Sequence, residues 1–255
     1  MAFTIMMILN NSFKNGTFTC DKYVLNSYLY LILGIIFVAL IVTVLTENKV
    51  QLFTNFMIKH RFLFPFLVFI GLVLSVVGLG LTDPTKVIQK HLFWVSFIVL
   101  SGVLFQPMHA IYIKEGLEKV IINSLIITFL LVATLSFIAF YKPDFIKLSW
   151  GPVLFFALLG AILVEIVSIL TNSYSTRFNR VMNYIIIAIF MGYLLYDTKF
   201  MRERGKKCLE TCNYYSIGRF DMGKSCVKPD YTRESVNLFL DIFNMFLRIL
   251  SLKSR

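Results

Sequence analysis

VIINSLIITFLLVATLSFIAFY, residues 120–141, holds no Asp, Glu, Lys or Arg. Charge returns on both sides of it, at Glu118 and Lys119 before and at Lys142 and Asp144 after. At about 1.5 Å of rise per helical residue, a run of this length covers roughly 30 Å, the hydrocarbon thickness of a bilayer. Comparable runs recur at 24–45, 62–81, 91–113, 148–170, 181–201 and 235–252. The spacing predicts an all-α polytopic membrane protein with seven transmembrane helices.

The composition agrees. Of 255 residues, 58% are hydrophobic and only 15% charged, with a mean hydropathy of +0.76. A water-soluble domain carries roughly a quarter charged residues to cover its surface. The net charge of +11 would raise the question of nucleic acid in a soluble protein. In a membrane protein, basic connections set orientation and meet anionic head groups, so no nucleic-acid partner is expected. The opening apolar stretch, 1–9, is short and has no basic residue before it, so the first span itself is expected to direct insertion.

The chain reads as one transmembrane domain over 1–255. An N-terminal segment (1–23) precedes six spans (24–201), a basic cysteine-bearing connection (202–234) and the seventh span (235–252). Five connections are short, which predicts antiparallel neighbours in a compact bundle. The seventh span holds Asn237, Asp241, Asn244 and Arg248. Such a helix is costly against lipid, so it is expected at the centre with the other six around it.

The connection 202–234 carries Cys208, Cys212 and Cys226, and six alternating spans place it on the same side as Cys20. Disulfides, a four-thiolate zinc site and free thiols all fit that placement. Charge leaves the orientation finely balanced. The N-terminal side holds 15 of the 25 Lys and Arg, but without the long connection the balance is 6 against 10. The full count favours a cytosolic N-terminus, which would disfavour disulfides. The sequons Asn10-Asn11-Ser12 and Asn15-Gly16-Thr17 matter only on the opposite placement.

Ionisable residues inside spans are functional candidates because they are expensive there. Those here are Glu165, Asp197, Asp241 and Arg248, with His109 near a span end. Asp197 lies about four residues before the end of the sixth span, about 6 Å from its mouth. Asp241 lies about six residues into the seventh, about 9 Å from the same face. If the two carboxyls face each other in a low-dielectric site, they share a proton instead of carrying two charges. That makes a pH-sensitive latch, which holds when neutral or singly charged and repels when doubly charged. The pair also offers hard oxygen ligands to Ca²⁺. Glu165 is placed to line the same pathway, to pair with Arg248, or to reach the interface. Arg248 reads as an interfacial anchor and His109 as structural.

Other chemistry fails on spacing, and no enzymatic role is expected. His60, His91 and His109 are too scattered for a His-Glu-x-x-His motif, and no phosphate-binding loop or Gly-x-Ser-x-Gly elbow occurs. Tyr196-Asp197 fits half of an intramembrane aspartyl protease pattern, but no Gly-x-Gly precedes Asp241.

Two motifs carry a family likeness. Gly192-Tyr193-Leu194-Leu195-Tyr196-Asp197-Thr198-Lys199 resembles the sixth-span signature of the transmembrane Bax inhibitor motif family. The last span, Leu240-Asp241-Ile242-Phe243-Asn244, is similar to that family's final helix. Tyr141-Lys142-Pro143-Asp144-Phe145 before Trp150-Gly151, and Ser101-Gly102 with Pro107, fit the same pattern. The likeness covers the chain from about residue 90 onward and is weak over the first two spans. It implies seven spans with the last central and the two aspartates as the latch. It also implies a slow Ca²⁺ leak across the endoplasmic reticulum or another intracellular membrane, calcium homeostasis, and suppression of cell death. Ca²⁺ would be the transported ion, with no resident cofactor. The departure is the 44-residue separation of the aspartates, longer than the family usually needs. A competing reading is a non-conducting protein that binds channels or apoptosis regulators through its long basic connection.

Overall fold

The computed structural model describes residues 13–14, 17–18, 20, 22–46, 63–147, 149–171, 175–216 (backbone alone over 13–14, 17–18 and 211–216) and 228–254. Seven helices in it are long and apolar enough to cross a membrane. They are α1 (Tyr23–Thr46), α2 (Leu63–Leu81), α3 (Val87–Lys114), α4 (Glu118–Tyr141), α5 (Trp150–Leu170), α6 (Thr176–Ser216) and α7 (Tyr231–Lys253). Before α1, β1 (Phe13–Lys14) pairs antiparallel with β2 (Thr17–Phe18), Lys14 opposite Thr17. The sequons at Asn10 and Asn15, His60, Cys226 and the Cys212 side chain lie outside the described residues.

The helices satisfy their own polar groups, as lipid demands. Ser75 donates to the Gly71 carbonyl, Ser124 to Val120, Thr128 to Ser124 and Thr134 to Leu130, each one turn back. Outward positions stay apolar and uncovered: Phe129 is 71% exposed and Phe156 68%. Lipid tails take the place that water could not. Helix α7 is the exception, with half of its most apolar window buried against 11–33% in the others. The polar seventh span is therefore the most enclosed, as its composition demands.

Three helices run beyond the apolar runs read from sequence. Helix α3 starts at Val87, not 91, because Asp83 organises a turn in which its carboxylate accepts from the Thr85 N–H and hydroxyl. Helix α7 starts at Tyr231, not 235, because Asp230 caps it, its Oδ1 accepting the Arg233 N–H at 3.2 Å. The stretch expected as a loop from 202 is helical to Ser216. Extending an existing helix needs no new nucleus, and Glu203 and Lys207 stand at the favourable i,i+4 spacing.

The chain divides into two compact units, one of Met1–Lys114 with Arg202–Val236, the other of Glu115–Met201 with Asn237–Arg255. Within the first, α1 and α3 close on glycines. Gly34 lies under Ile98, and Gly102 lies so near Ile41 that a Cβ there would sit 2.8 Å from its Cγ2. Gly71 under Leu100 and Gly78 under Phe93 bring α2 onto α3. Within the second, Gly151 of α5 receives the Tyr196 ring and Gly192 of α6 receives Leu154. Small residues at helix contacts let backbones approach closely in lipid, where no hydrophobic force drives association.

Candidate functional site

Helix α6 carries Asp197 one turn after Tyr193, and α7 carries Asp241. Asp241 is buried at 5% exposure, and Asp197 is half-buried. The two are near enough for the charge of Asp197 to act on the Asp241 carboxyl, and both act on the Tyr193 phenol. The structure thus brings together the two carboxylates singled out by sequence. Asp241 Oδ2 is buried with no hydrogen-bond partner among the described residues. Such an atom is costly unless a proton, a water or an ion meets it.

Tyr196, next to Asp197, packs over Gly151, where a Cβ would lie 2.9 Å from its hydroxyl oxygen. Lys199, two residues past Asp197, donates to the Ile146 carbonyl at 2.5 Å. These contacts fix the face of α6 that carries Asp197. On α7, Asn244 returns its side-chain amide to the Leu240 carbonyl at 2.7 Å, one turn back.

Two turns past Asp241, Arg248 meets Glu165 of α5 fork to fork, Nη1 to Oε1 at 2.5 Å and Nη2 to Oε2 at 3.0 Å. Arg248 also donates to Asn183 Oδ1 at 3.2 Å, and Asn183 donates onward to Ser251. Of the placements open to Glu165, pairing with Arg248 is the one adopted. Arg248 is held by partners on α5 and α6. His109 lies beside Thr46, Nδ1 to Oγ1 at 3.3 Å, and against the Phe105 ring.

Sequence reasoning missed a second polar cluster, in the first compact unit. Lys90 is 1% exposed and reaches Asp230 at 2.5 Å, while also donating to the Leu79 carbonyl. Glu234 accepts from Arg204 at 2.7 Å and from the Tyr23 hydroxyl at 3.2 Å. Trp94 donates its indole N–H to Ser235 at 3.0 Å. The start of α7 is thereby bonded to α1, α3 and the far end of α6, and Lys90 of α3 extends the cluster to α2. Lys90 stands just before an apolar run and reads as a loop cation. Only its partner 140 residues away explains its burial.

Cys20 and Cys208 are joined by a disulfide, their Cα atoms 5.6 Å apart. That excludes the four-thiolate zinc site for these two sulfurs. No group of three His, Cys, Asp or Glu side chains converges as a metal site among the described residues. Any cation at Asp197 and Asp241 would draw its remaining ligands from water or backbone carbonyls.

No curated protein matches the chain. A family model described as "Inhibitor of apoptosis-promoting Bax1" matches residues 20–254 and so takes in all seven spans, both aspartates and the disulfide. That match covers the two spans where the motif likeness is weak as well as those where it is specific, and the chain is an integral membrane protein of the Bax inhibitor family.

Proposed function

We propose that this protein lets Ca²⁺ leak slowly across an intracellular membrane, the endoplasmic reticulum or a similar one, under the control of a proton held between Asp197 and Asp241. The observation that carries the reading is Asp241, buried with one carboxylate oxygen unpartnered beside a second carboxylate. A shared proton joins the two side chains and holds α6 against α7. Loss of that proton leaves two like charges, and the repulsion parts the helices. A part-hydrated Ca²⁺ then finds hard oxygens along the opened face. Glu165 is held by Arg248 and takes no part in the latch. Calcium homeostasis and restraint of cell death are the cellular roles that such a leak would serve.

The test is flux of Ca²⁺ into dye-loaded liposomes containing the purified chain, measured across pH 6 to 8. Flux is expected to rise with pH. Asp197→Asn and Asp241→Asn should each flatten that dependence, because neither leaves a pair able to carry two charges. Wild-type flux no greater than that of protein-free liposomes would end the conduction reading. Flux with an unaltered pH response in both variants would end the latch.

A further inference from the structure

Cys20 and Cys208 lie on the side of the membrane where a lasting disulfide is least expected. Six crossings separate them, so both belong with the N-terminal segment. The positive-inside rule counts connections of up to roughly 60 residues, so the one between α6 and α7 enters the tally. That side then carries 15 of the 25 Lys and Arg, which marks it as the cytosolic one. The cytosol keeps thiols reduced, and disulfides that do form there are usually transient and redox-sensing. Yet the two sulfurs are bonded, with their Cα atoms 5.6 Å apart.

Other contacts at the same junction do not need the bond. Cys20 stands three residues before Tyr23, and Gly205 stands three residues before Cys208 on α6. A Cβ on Gly205 would lie 3.2 Å from the Tyr23 Cβ, so the two segments touch beside the sulfurs. Tyr23 also donates to Glu234, which accepts from Arg204, one turn before Cys208. These contacts hold the two thiols side by side when the bond is open. The sulfurs differ in access, because Cys208 is fully buried and Cys20 only half-buried. Thiol oxidation follows thiolate character and exposure, so Cys20 is the sulfur that a small oxidant or an incoming thiol reaches first.

We infer that Cys20 and Cys208 form a reversible thiol–disulfide switch on the cytosolic face, open in resting cells and closed by hydrogen peroxide. The Cys20 thiolate attacks one peroxide oxygen and the O–O bond breaks. Cys20 becomes a sulfenic acid, and the other oxygen leaves as hydroxide, which takes the proton of the Cys208 thiol. The Cys208 thiolate then attacks the Cys20 sulfur and displaces the sulfenic oxygen, which leaves as water. Two thiols and one peroxide thus give one disulfide and two waters, the sulfurs losing two electrons and the peroxide gaining them. Glutathione reopens the bond: its thiolate attacks Cys20, Cys208 leaves as a thiolate, and a second glutathione frees Cys20 from the mixed disulfide as glutathione disulfide. Closed, the switch ties the segment ahead of α1 covalently to α6, across a sequence separation of 188.

The test is thiol counting on the full-length chain in cells, with Cys212→Ser and Cys226→Ser leaving Cys20 and Cys208 as the only cysteines. Cells are quenched in acid, and the denatured chain is tagged with maleimide–polyethylene glycol. Two tags are expected at rest, none after a brief pulse of hydrogen peroxide, and two again once the peroxide is washed out. No tags at rest would make the bond a permanent structural one, and two tags throughout would mean that it does not form. Either result overturns the switch. Adding Cys20→Ser leaves buried Cys208 alone, and its single tag should survive the pulse. Its loss would overturn Cys20 as the sulfur of entry. Differential alkylation of the wild-type chain, read by peptide mass spectrometry, needs no substitution and should find Cys20 joined to Cys208 after the pulse. Cys20 joined instead to Cys212, to Cys226 or to a second chain would overturn the pairing.

Discussion

Arg248 and Glu165 form a bidentate pair, Nη1 on Oε1 at 2.5 Å and Nη2 on Oε2 at 3.0 Å, between α7 and α5. Neither side chain is more than 28% exposed. Removing one partner leaves an unmatched charge inside a span, so Arg248→Met or Glu165→Gln alone should cost about 3 kcal/mol. The double variant loses both charges together and should cost less than the sum of the singles by about 1 kcal/mol or more. Thermal unfolding in detergent provides the comparison. Strict additivity would mean that the pair contributes nothing beyond its separate parts.

The glycines of the first unit offer a sharper contrast. A Cβ on Gly102 would lie 2.8 Å from Ile41 Cγ2 and 2.9 Å from its Cβ, a branch point that cannot swing aside. A Cβ on Gly80 would meet nothing within 4 Å. Gly102→Ala should therefore destabilise by about 1–3 kcal/mol through overpacking. Gly80→Ala should be neutral or stabilising by up to about 1 kcal/mol, through helix propensity. Melting temperatures of the two single variants, taken side by side, check both signs.

Span number and the two aspartates were legible because each is local. An apolar run such as 120–141 declares itself by length, and a carboxylate within such a run declares itself by cost. What was not legible depends on partners far away in sequence. Lys90 looks like an ordinary loop cation until Asp230 is found beside it. Cys20 shares a side with Cys208, Cys212 and Cys226, with disulfides, a zinc site and free thiols all open, and only folding selects the bond to Cys208. Glu165 could line a pathway, reach the interface or pair, and Arg248 decides the matter. The helical run past residue 201 was missed for a different reason. Hydropathy ends where the membrane ends, whereas backbone hydrogen bonding continues wherever the residues are good helix formers.

The Lys90–Asp230 pair should matter more to stability than to pH response. It fixes the entry of α7, because Asp230 caps that helix through the Arg233 N–H and accepts the Thr232 hydroxyl at 3.0 Å. Lys90→Met strands a buried carboxylate and should cost about 3–5 kcal/mol. Asp230→Asn keeps an oxygen for the cap but strands the ammonium, so it should also destabilise severely. Combining the two changes should recover part of the loss, read as protein remaining monodisperse after heating in detergent. No recovery in the double variant would show that the ion pair is not the governing contact.

The last expectation separates the intramembrane carboxylates from the one acidic side chain that most resembles a surface sensor. Asp83 accepts the Thr85 hydroxyl at 2.7 Å, the Thr85 N–H at 2.9 Å and the Lys228 ammonium at 3.2 Å. The Thr85 hydroxyl first, then its N–H and the Lys228 contact, bring the carboxyl down to about 2. A lowered value means that whatever this turn contributes to stability is fully present above the ordinary Asp value near 3.9. That contribution is lost only as pH falls toward about 2. Between pH 6 and 8 Asp83 does not change charge at all. Asp83→Asn should therefore leave the pH profile of Ca²⁺ flux unmoved, while Asp197→Asn and Asp241→Asn flatten it. A profile shifted by Asp83→Asn would move the sensor out of the spans and into the α2–α3 turn. A profile flattened only by the two intramembrane substitutions would tie proton release to the contact between α6 and α7.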